Sequence, residues 1–391
     1  MRILVLAERF HPEEFLVNDL ARQWVADGHK VSVLTQEPSY PFDRIYDGYR
    51  NAFYRTTLEL PGIRIHRVRT VLGYNRSVFR KVLNYVSFAF FTSMWAILAG
   101  WRFDRVFVYH TGPLTMASAA IPLKYLWRRK IAIWTQDLWP DAVYAYGFKK
   151  SRFREFALNL FVRTVYSSCR AVTVSCPAYV ASLSARIRRE VEFVPQWDAG
   201  SRELPPKKPD GRIVFTFTGN VGMPQNMTEI ARAFGDAALE NAELRIVGGG
   251  VKLEELRETV EKEHIAGVKI YGRRPHSEME KFLEESDVLV LPLSRKFALT
   301  LPGKFQAYLK AGRPLFGIIA GAAADWIREK DLGAVADPDD RAAAAEGFRR
   351  LAASPEKFAR WRENALAFSR ERFDRGKTIA RIAEILENGR L

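Results

Sequence analysis

Residues 286–319 read SDVLVLPLSRKFALTLPGKFQAYLKAGRPLFGII, and this stretch determines the fold class. The apolar runs 288–293 and 315–319 predict two buried strands. Between them, Pro302 suits the first turn of a helix, and Gly312 suits its end. The order strand, helix, strand predicts a parallel sheet with helices packed on its faces.

The start of this predicted helix suits an anion. Ligands of open parallel sheets bind at the carboxyl ends of the strands, where helix N-termini present free N–H groups and a partial positive charge. Gly303 and Lys304 lie in the first turn, so Lys304 adds a full charge. We therefore predict that a diphosphate group binds here and that Lys304 stabilises its charge.

Strands and helices alternate in two separate parts of the chain. Strands are predicted at 2–7, 31–35, 63–68, 105–109, 131–135, 171–175 and 191–194, and then at 213–218, 244–247, 268–271 and the two runs above. Residues 199–211 are rich in Pro, Gly and charge, which is typical of a linker. The predicted domains are 1–198 and 212–372, and we expect a helix at 373–391 to pack on the first domain. The predicted class is α/β, with two doubly wound domains facing a cleft.

A glycine loop opens the second predicted domain. Gly219, Asn220 and Gly222 follow its first strand and precede a helix. Glycines at such a turn let the backbone approach a ligand. The loop and the Lys304 helix together predict a cradle for a diphosphate, whereas the loop by itself is equally consistent with a plain tight turn.

Three further features belong to the same predicted domain. The helix after the loop is predicted to begin at Asn226, with Glu229 reaching back as in a capping box. Arg273 follows the strand 268–271 and adds positive charge to the donor site, or else lies in a solvated loop. The glycines at 248–250 follow a strand where a turn is sufficient, so we interpret them as structural.

Polar residues also follow two predicted strands of the first domain. His110 comes after the strand 105–109, and Gln136 and Asp137 come after 131–135. Both strands are predicted to be central, so we expect these side chains to contact the acceptor or sugar hydroxyls, with Asp137 accepting hydrogen bonds or a proton. An ordinary loop role is the alternative for His110.

Further acceptor contacts are predicted on neighbouring loops. We expect Trp139 to shape the loop after Asp137. His11 and Glu13 follow the first strand and can reach an acceptor. For Glu13 the alternative is an acidic residue that interacts favourably with a helix N-terminus.

Positive charge is concentrated in the first half of the chain. The formal net charge is +15, and residues 51–189 hold 22 Lys and Arg against 5 Asp and Glu. We favour an anionic membrane surface as partner, since each basic residue near one contributes about 1 kcal/mol. Ordinary solvated surface is the alternative. Nucleic acid is not expected as a partner, because no recognisable binding motif accompanies the charge.

Residues 82–101, VLNYVSFAFFTSMWAILAGW, carry no charge over a length that could cross a bilayer. Polar residues dilute this stretch and a strand-like run follows it, so we predict a buried or membrane-dipping helix. The chain has two cysteines, too few for a disulfide framework, which favours a reducing cytosol. The predicted location is cytoplasmic, peripheral on the inner face of the cytoplasmic membrane.

Taken together, the motifs resemble retaining glycosyltransferases of family four over nearly the whole chain. The resemblance is carried by RFHPEEFLVNDLARQWVADGHKVSVLT (9–35), EPSYPFDRIYDGY (37–49), LNYVSFA (83–89), TQDLWPDAVYAYG (135–147), FTGNVGMPQN (217–226), RIVGGG (245–250), SDVLVLPL (286–293) and LPGKFQAYLKAGRPL (301–315). Segments 37–49 and 135–147 look most like the branch that includes L-fucosamine transferases and enzymes of O-antigen, capsule and colanic-acid assembly.

This resemblance implies a GT-B fold and a sugar transfer that retains the anomeric configuration. A nucleotide-diphospho-sugar, which we expect to be UDP-linked, would bind the second domain. A glycan on a polyprenyl diphosphate carrier would bind the first domain. His110 stands where related enzymes place an active-site histidine. We expect no metal and no other cofactor.

The sequence departs from the family at one place. Many members carry a Glu-x7-Glu pair whose second glutamate holds the ribose, and the corresponding residues here are Leu299 and Ala307. Two other functions therefore stay open: a nucleotide-sugar epimerase or hydrolase on the same fold, and a non-catalytic paralogue that binds glycan or membrane. Hydrolysis without an acceptor would indicate the first, and a failure to bind nucleotide diphosphates would indicate the second.

Overall fold

The computed structural model describes residues 1–40, 44–73, 76–139, 151–200 and 202–389. The chain divides into two compact units. The first comprises Met1–Pro195 with Gly376–Leu391, and the second comprises Gln196–Arg375. Each unit is built on its own parallel sheet, so the predicted pair of Rossmann-like domains is confirmed.

The first unit contains an eight-stranded sheet. Its strands are β1 (Arg2–Ala7), β2 (Lys30–Gln36), β3 (Tyr54–Leu60), β4 (Ile63–Val68), β5 (Arg105–His110), β6 (Lys130–Thr135), β7 (Ala171–Val174) and β8 (Glu192–Phe193). They are arranged in the order β3-β4-β2-β1-β5-β6-β7-β8, and β3 is antiparallel to β4 while the other neighbours are parallel. The carboxyl ends of β1, β5 and β6 therefore lie side by side in the middle of the sheet.

Helices cover this sheet through their apolar faces. They include α1 (Leu16–Ala26), α2 (Val78–Ala99), α3 (Ala120–Tyr125), α4 (Arg152–Ser168) and α5 (Ala178–Ile187). In α1 the apolar residues recur at helical spacing and form the buried face, since Val17, Leu20, Ala21 and Trp24 are buried. The Trp24 ring meets Phe107 of β5 edge-on, with the ring centroids 5.2 Å apart, which packs this helix against the central strands.

The second unit contains a six-stranded sheet in which all neighbouring strands are parallel. Its strands are β9 (Ile213–Thr218), β10 (Ala242–Val247), β11 (Val268–Gly272), β12 (Val288–Pro292), β13 (Leu315–Ile318) and β14 (Gly333–Ala336), in the order β11-β10-β9-β12-β13-β14. Its helices include α6 (Met227–Ala237), α7 (Leu253–Lys262), α8 (His276–Glu284), α9 (Lys304–Ala311), α10 (Ala322–Glu329), α11 (Arg341–Ala352) and α12 (Phe358–Arg372). The stretch 286–319 thus forms β12, α9 and β13, as predicted.

The last helix, α13 (Arg375–Asn388), belongs almost entirely to the first unit. The Arg105 guanidinium donates to the carbonyls of Leu386 and Glu387, each at 3.0 Å. The cation therefore satisfies carbonyls at the C-terminus of the helix, where the helix dipole favours positive charge. Arg381 of α13 also pairs with Glu192 at 2.7 Å.

Three features differ from the sequence prediction or add to it. Strands β3 and β14 were not predicted, because β3 is a half-exposed edge strand and β14 has four residues. The capping box was wrong: Asn226 has φ 47° and no side-chain cap, and Glu229 pairs with Arg232 instead. The described residues of 199–211 have no regular structure and belong to the second unit, where Lys207 lies 2.7 Å from Asp287.

Candidate active site

In the second unit, Lys304 lies over the glycine turn that follows β9. A Cβ atom built on Gly219 would stand 2.2 Å from Lys304 Cε and 2.3 Å from Nζ, so glycine leaves the space that the lysine occupies. The ammonium also lies 4.6 Å from the centroid of the Phe217 ring. This places the Lys304 charge at the carboxyl end of the central strand of this sheet.

The Lys304 ammonium makes no hydrogen bond or ion pair with any residue that the structure describes. Burial lowers the pKa of Lys304 to about 8, because removal from water disfavours the charged form. An approaching anion would relieve that cost. No side chain caps the start of α9 at Gly303, and within the first turn the Phe305 N–H donates to the Pro302 carbonyl at 2.9 Å.

The glycine loop at 219–222 packs directly against a second glycine loop at 248–250. Gly219 N donates to the Val247 carbonyl at 2.7 Å, and Val221 N donates to the Gly249 carbonyl at 2.9 Å. A Cβ atom on Gly248 would lie 1.7 Å from the Gly219 carbonyl oxygen, and one on Gly250 would lie 2.3 Å from the Val221 oxygen. These contacts support the structural interpretation of residues 248–250.

The remaining predicted donor residues lie around the same loops. Asn220 and Gly222 are in contact, since a Cβ on Gly222 would meet Asn220 Nδ2 at 2.6 Å. The Arg273 guanidinium is exposed, and its Nε would lie 3.5 Å from a Cβ on Gly249. The structure therefore brings together Gly219, Asn220, Gly222, Gly303, Lys304 and Arg273, although their role in binding stays a prediction.

Sequence reasoning missed one feature of the second unit, the pair of carboxylates at Asp337 and Asp339. Asp337 and Asp339 have the Asp-x-Asp spacing of many metal-dependent transferases, but both carboxylates bind Arg295, with Asp339 at 2.7 Å. Within the described ranges, no group of three or more His, Cys, Asp or Glu residues is placed to hold a metal ion. Leu299 is about half exposed and Ala307 is partly buried, so neither supplies a polar contact to a ribose.

In the first unit, His110 ends β5 and is completely buried. Neither ring nitrogen has a hydrogen-bond partner in the described part of the chain. Burial lowers the pKa of His110 to about 3, so the imidazole is neutral at physiological pH. A buried polar group without a partner is costly, which is the pattern expected of a group that waits for a ligand.

Asp137 lies on the neighbouring strand end. Its carboxylate accepts a hydrogen bond from Gly112 N at 2.7 Å, and burial raises its pKa. Gln136 is buried beside it, and its backbone N–H donates to the His110 carbonyl at 2.8 Å. Sequence reasoning missed Glu8, which is 5% exposed and follows β1. The signal that found His110, a polar residue at the end of a central strand, would also have found Glu8.

The other acceptor-side predictions fall into a structural network. Glu13 Oε1 accepts the backbone N–H groups of Ser39 at 2.9 Å and Tyr40 at 2.6 Å, so this carboxylate holds the loop after β2. The His11 carbonyl accepts from the fully buried Arg67 at 2.6 Å. Burial also lowers the pKa of His11.

Trp139 is partly buried, and its carbonyl accepts from Arg186 at 2.8 Å. Residues 140–147 of the motif at 135–147 lie outside the described residues. The interpretation of Trp139 as a loop-shaping residue therefore stays a prediction.

Comparison with known proteins agrees with this architecture. A glycosyl transferase 4-like domain model matches residues 15–197, and a model of glycosyl transferases group 1 matches residues 203–368. The structure is similar to sucrose-phosphate synthase from Thermosynechococcus elongatus, with a TM-score of 0.74 and 13% identity over 99% of this chain and 98% of that one. It is also similar to Anabaena HepE in complex with UDP and glucose, with a TM-score of 0.71 and 13% identity over 99% and 100% of the two chains.

Two curated proteins are similar in sequence. WbjE of Pseudomonas aeruginosa, described as a probable glycosyltransferase, is 24% identical over 60% of this chain and 63% of its own, so the match spans a little under two-thirds of WbjE. WcaI of Escherichia coli strain K12, named for colanic acid biosynthesis, is 22% identical over 80% of this chain and 82% of its own.

The two sheets together with the two matching family models identify a glycosyltransferase with the GT-B fold. The chain belongs to the glycosyltransferases that join a glycosyl transferase 4-like domain to a group 1 domain.

The affinity for UDP should fall as the pH rises above about 8. Below that pH, Lys304 is already protonated in the free protein. Above it, free Lys304 loses its proton while a bound diphosphate raises the pKa again, so binding must take up a proton. The affinity then falls by up to about tenfold per pH unit. Calorimetric titration with UDP from about pH 7 to about pH 9.5 measures this dependence.

Matched variants on α9 separate Lys304 from general charge effects. Lys310 lies at the other end of the helix and donates to the Asp198 carbonyl at 3.1 Å. Lys310→Ala should retain the pH dependence of UDP binding. Lys304→Ala should bind UDP more weakly, and its affinity should not change with pH in this range. A pH dependence that survives in Lys304→Ala would contradict this assignment.

Proposed function

We propose that this protein transfers a sugar from a nucleotide-diphospho-sugar, UDP-linked, to a glycan carried on polyprenyl diphosphate. The reaction belongs to bacterial surface polysaccharide synthesis and retains the anomeric configuration. The single observation that carries the proposal is the Lys304 ammonium, held on Gly219 at the start of α9 without an anionic partner among the described residues. The UDP complexes of HepE and the names of WcaI and WaaG, a lipopolysaccharide glycosyltransferase with a TM-score of 0.66, support it.

The chemistry assigned to Lys304 is stabilisation of the leaving group. The bond between the anomeric carbon and the diphosphate oxygen breaks, and a bond to the acceptor oxygen forms on the same face of the sugar. The acceptor proton passes to the departing diphosphate. Lys304 and the N–H groups at the start of α9 stabilise the charge that develops there, which is the kind of preorganised contribution that dominates many enzymes.

The role assigned to His110 follows from its charge state. A neutral imidazole donates one hydrogen bond and accepts another. Because the pKa of His110 is about 3, it does not act as a cation near neutral pH. We assign it a hydrogen bond to a sugar hydroxyl in the transition state.

Transfer should depend strongly on Lys304. With UDP-sugars and lipid-linked glycan extracted from the native host, Lys304→Ala should reduce turnover by about 100-fold or more, by analogy with the loss of a preorganised charge donor. The turnover of Lys310→Ala should stay within about threefold of wild type, because the Lys310 ammonium donates a hydrogen bond to the Asp198 carbonyl and takes no part in the proposed reaction. Nuclear magnetic resonance of the product should show the anomeric configuration of the donor.

Other outcomes of that assay distinguish the remaining functions. Hydrolysis or epimerisation of the donor without an acceptor would favour the epimerase or hydrolase. A folded protein that binds no UDP would favour a non-catalytic paralogue. Inversion of the anomeric configuration would contradict the retaining mechanism.

His110→Ala should also lower transfer by about 100-fold while the melting temperature stays near that of wild type. Among the described residues, the ring has no hydrogen-bond partner that the substitution would leave unpaired. Because His110 does not ionise near neutrality, the pH profile of turnover in that range should have the same shape in the wild type and in the variant. Normal transfer, or a collapse of stability, would remove His110 from the reaction.

We further propose that the first unit binds the inner face of the cytoplasmic membrane. Within the described residues, the helix Val78–Arg102 is long and apolar enough to cross a bilayer, and 33% of its most apolar part is buried. Exposed apolar side chains run along its whole length: Val78, Phe79, Val82, Val86, Phe90, Met94, Ile97, Leu98 and Trp101. This exposed apolar surface suits a helix lying in the membrane interface.

Neighbouring helices extend this surface. Helix α3 contacts both α2 and α4. It is followed by exposed Leu126, and α4 exposes Phe153, Phe156 and Leu160. The exposed basic residues Arg80, Arg102, Arg128 and Arg152 lie near the ends of these helices. Apolar insertion and attraction to anionic lipids can therefore act together.

Vesicle binding should require both contributions. Vesicles with phosphatidylglycerol should bind the protein more tightly than pure phosphatidylcholine, and high salt should release it, because exposed charges are screened within about 8 Å at physiological ionic strength. Phe90→Ser with Leu98→Ser should weaken binding, whereas Met223→Ser with Val251→Ser, exposed on the second unit, should not. Equal, salt-independent binding to both vesicles would refute the electrostatic contribution.

A further inference from the structure

Glu8 is a buried carboxyl group that the mechanism above leaves unused. It follows β1, which pairs with β5 in the middle of the sheet, and is 5% exposed. Its Oε1 receives a long hydrogen bond of 3.4 Å from Gln36 and lies 3.9 Å from an Arg9 nitrogen. Its Oε2 accepts no hydrogen bond from the residues that the structure describes.

Gly112 lies next to both Glu8 and Asp137. The Gly112 N–H donates to Asp137 Oδ2 at 2.7 Å, while a Cβ on Gly112 would lie 3.5 Å from Glu8 Oε2. Gly112 has φ +71°, which L side chains rarely adopt. Two carboxyl groups thus flank one glycine, and the absence of a side chain keeps the space between them open.

A second and independent observation points to a ligand at this place. The His110 ring, two residues from Gly112, is completely buried with both nitrogens unsatisfied in the described part of the chain. Contact with the Gly112 backbone partly offsets the effect of burial on the His110 pKa. Buried polar atoms normally have partners, so the unsatisfied His110 imidazole indicates a missing polar group at this edge of the sheet.

The electrostatics identify the chemistry of that group. Burial raises the pKa of Glu8, which Glu13 and Asp137 raise further and Arg9 opposes, and burial raises the pKa of Asp137 as well. Carboxyl groups repel a phosphate or carboxylate ligand, and this cluster is not placed to hold a metal ion. A neutral group that can both donate and accept hydrogen bonds fits best, and a sugar hydroxyl is such a group.

We propose that Glu8 binds a hydroxyl group of the acceptor sugar. The hydroxyl lies between Asp137 and His110 and donates a hydrogen bond to Glu8 Oε2. This inference rests on the proposed function and deepens it, because it assigns the acceptor contact to a residue of β1 as well as to β5 and β6. Glu8 is then a catalytic residue when the bound hydroxyl is the nucleophile.

Kinetics with a matched control test the proposal. Glu8→Gln keeps the size of the side chain and removes its charge, whereas Glu14→Gln makes the same change at an exposed position of the same loop. With lipid-linked glycan from the native host, Glu8→Gln should lower kcat/KM for the acceptor by about 10- to 100-fold, the effect of a lost hydrogen bond to a charged group. The affinity for UDP and the melting temperature should stay unchanged.

Glu14→Gln should behave as wild type in all three measurements. An acceptor kcat/KM for Glu8→Gln within about twofold of wild type would overturn the proposal. A loss of UDP affinity in Glu8→Gln would also overturn it, because the effect would then not be specific to the acceptor.

A measurement without turnover separates this inference from the proposed function. Protein labelled with carbon-13 at the glutamate carboxyl should show a Glu8 signal, assigned by its loss in Glu8→Gln. The glycan released from the lipid carrier should shift that signal and leave the Glu14 signal in place. No shift would overturn the Glu8 assignment even if transfer is observed, whereas a shift without any transfer would leave Glu8 supported and contradict the enzyme function.

Discussion

The buried Lys304 ammonium, which has no anionic partner among the described residues, is the feature on which the second unit's site depends. Lys304 occupies the space above Gly219, and burial lowers its pKa to about 8. Tyr308, one turn later in α9, accepts the Thr218 N–H at 3.0 Å and so fixes this helix to the end of β9. The position of the charge is therefore set by the packing of α9 on the end of β9, so that little reorganisation is needed when an anion binds.

The glycines around Lys304 serve this arrangement in different ways. Gly219 makes room for the lysine side chain, whereas Gly248 and Gly250 let the next loop pack directly against the backbone of Gly219 and Val221. A side chain at any of these positions would collide with an atom less than 2.5 Å away. The loop sequence is thus constrained by packing as much as by a ligand.

The first unit has the opposite electrostatic character at the corresponding strand ends. His110 is neutral, and burial raises the pKa values of Glu8 and Asp137. A cationic site suits a departing diphosphate, whereas a neutral imidazole and carboxyl groups that accept hydrogen bonds suit a hydroxyl. This division of charge agrees with a donor on the second unit and an acceptor on the first.

The regular elements were predictable because buried parallel strands and amphipathic helices have distinct apolar patterns. The stretch 286–319 and the helix α1 followed those patterns, and so did the placement of Lys304. Strand β3 was missed because its half-exposed edge position gives a weak signal. The capping box failed because Asn226 adopts a left-handed conformation, whereas an N-cap residue of a capping box has an extended one.

The candidate site was only partly predictable for a related reason. Sequence position places a residue at a strand end, but the partners of its side chain depend on the fold. Glu13 looked like an acceptor contact, yet its carboxylate holds the backbone of Ser39 and Tyr40. Arg295 follows β12 at the same edge of the sheet, and only the fold shows that its guanidinium binds Asp337 and Asp339. Glu8 lacked any motif and became apparent through its burial.

Direct titration of the Lys304 side chain tests the central claim most directly. Nuclear magnetic resonance of lysine labelled with carbon-13 at Cε, with the Lys304 signal assigned by its loss in Lys304→Ala, follows that ionisation with and without UDP. The account predicts a pKa of about 8 in the free protein and a rise of roughly one unit or more when the diphosphate is bound. An ordinary lysine pKa in the free protein, or a pKa that UDP leaves unchanged, would contradict it.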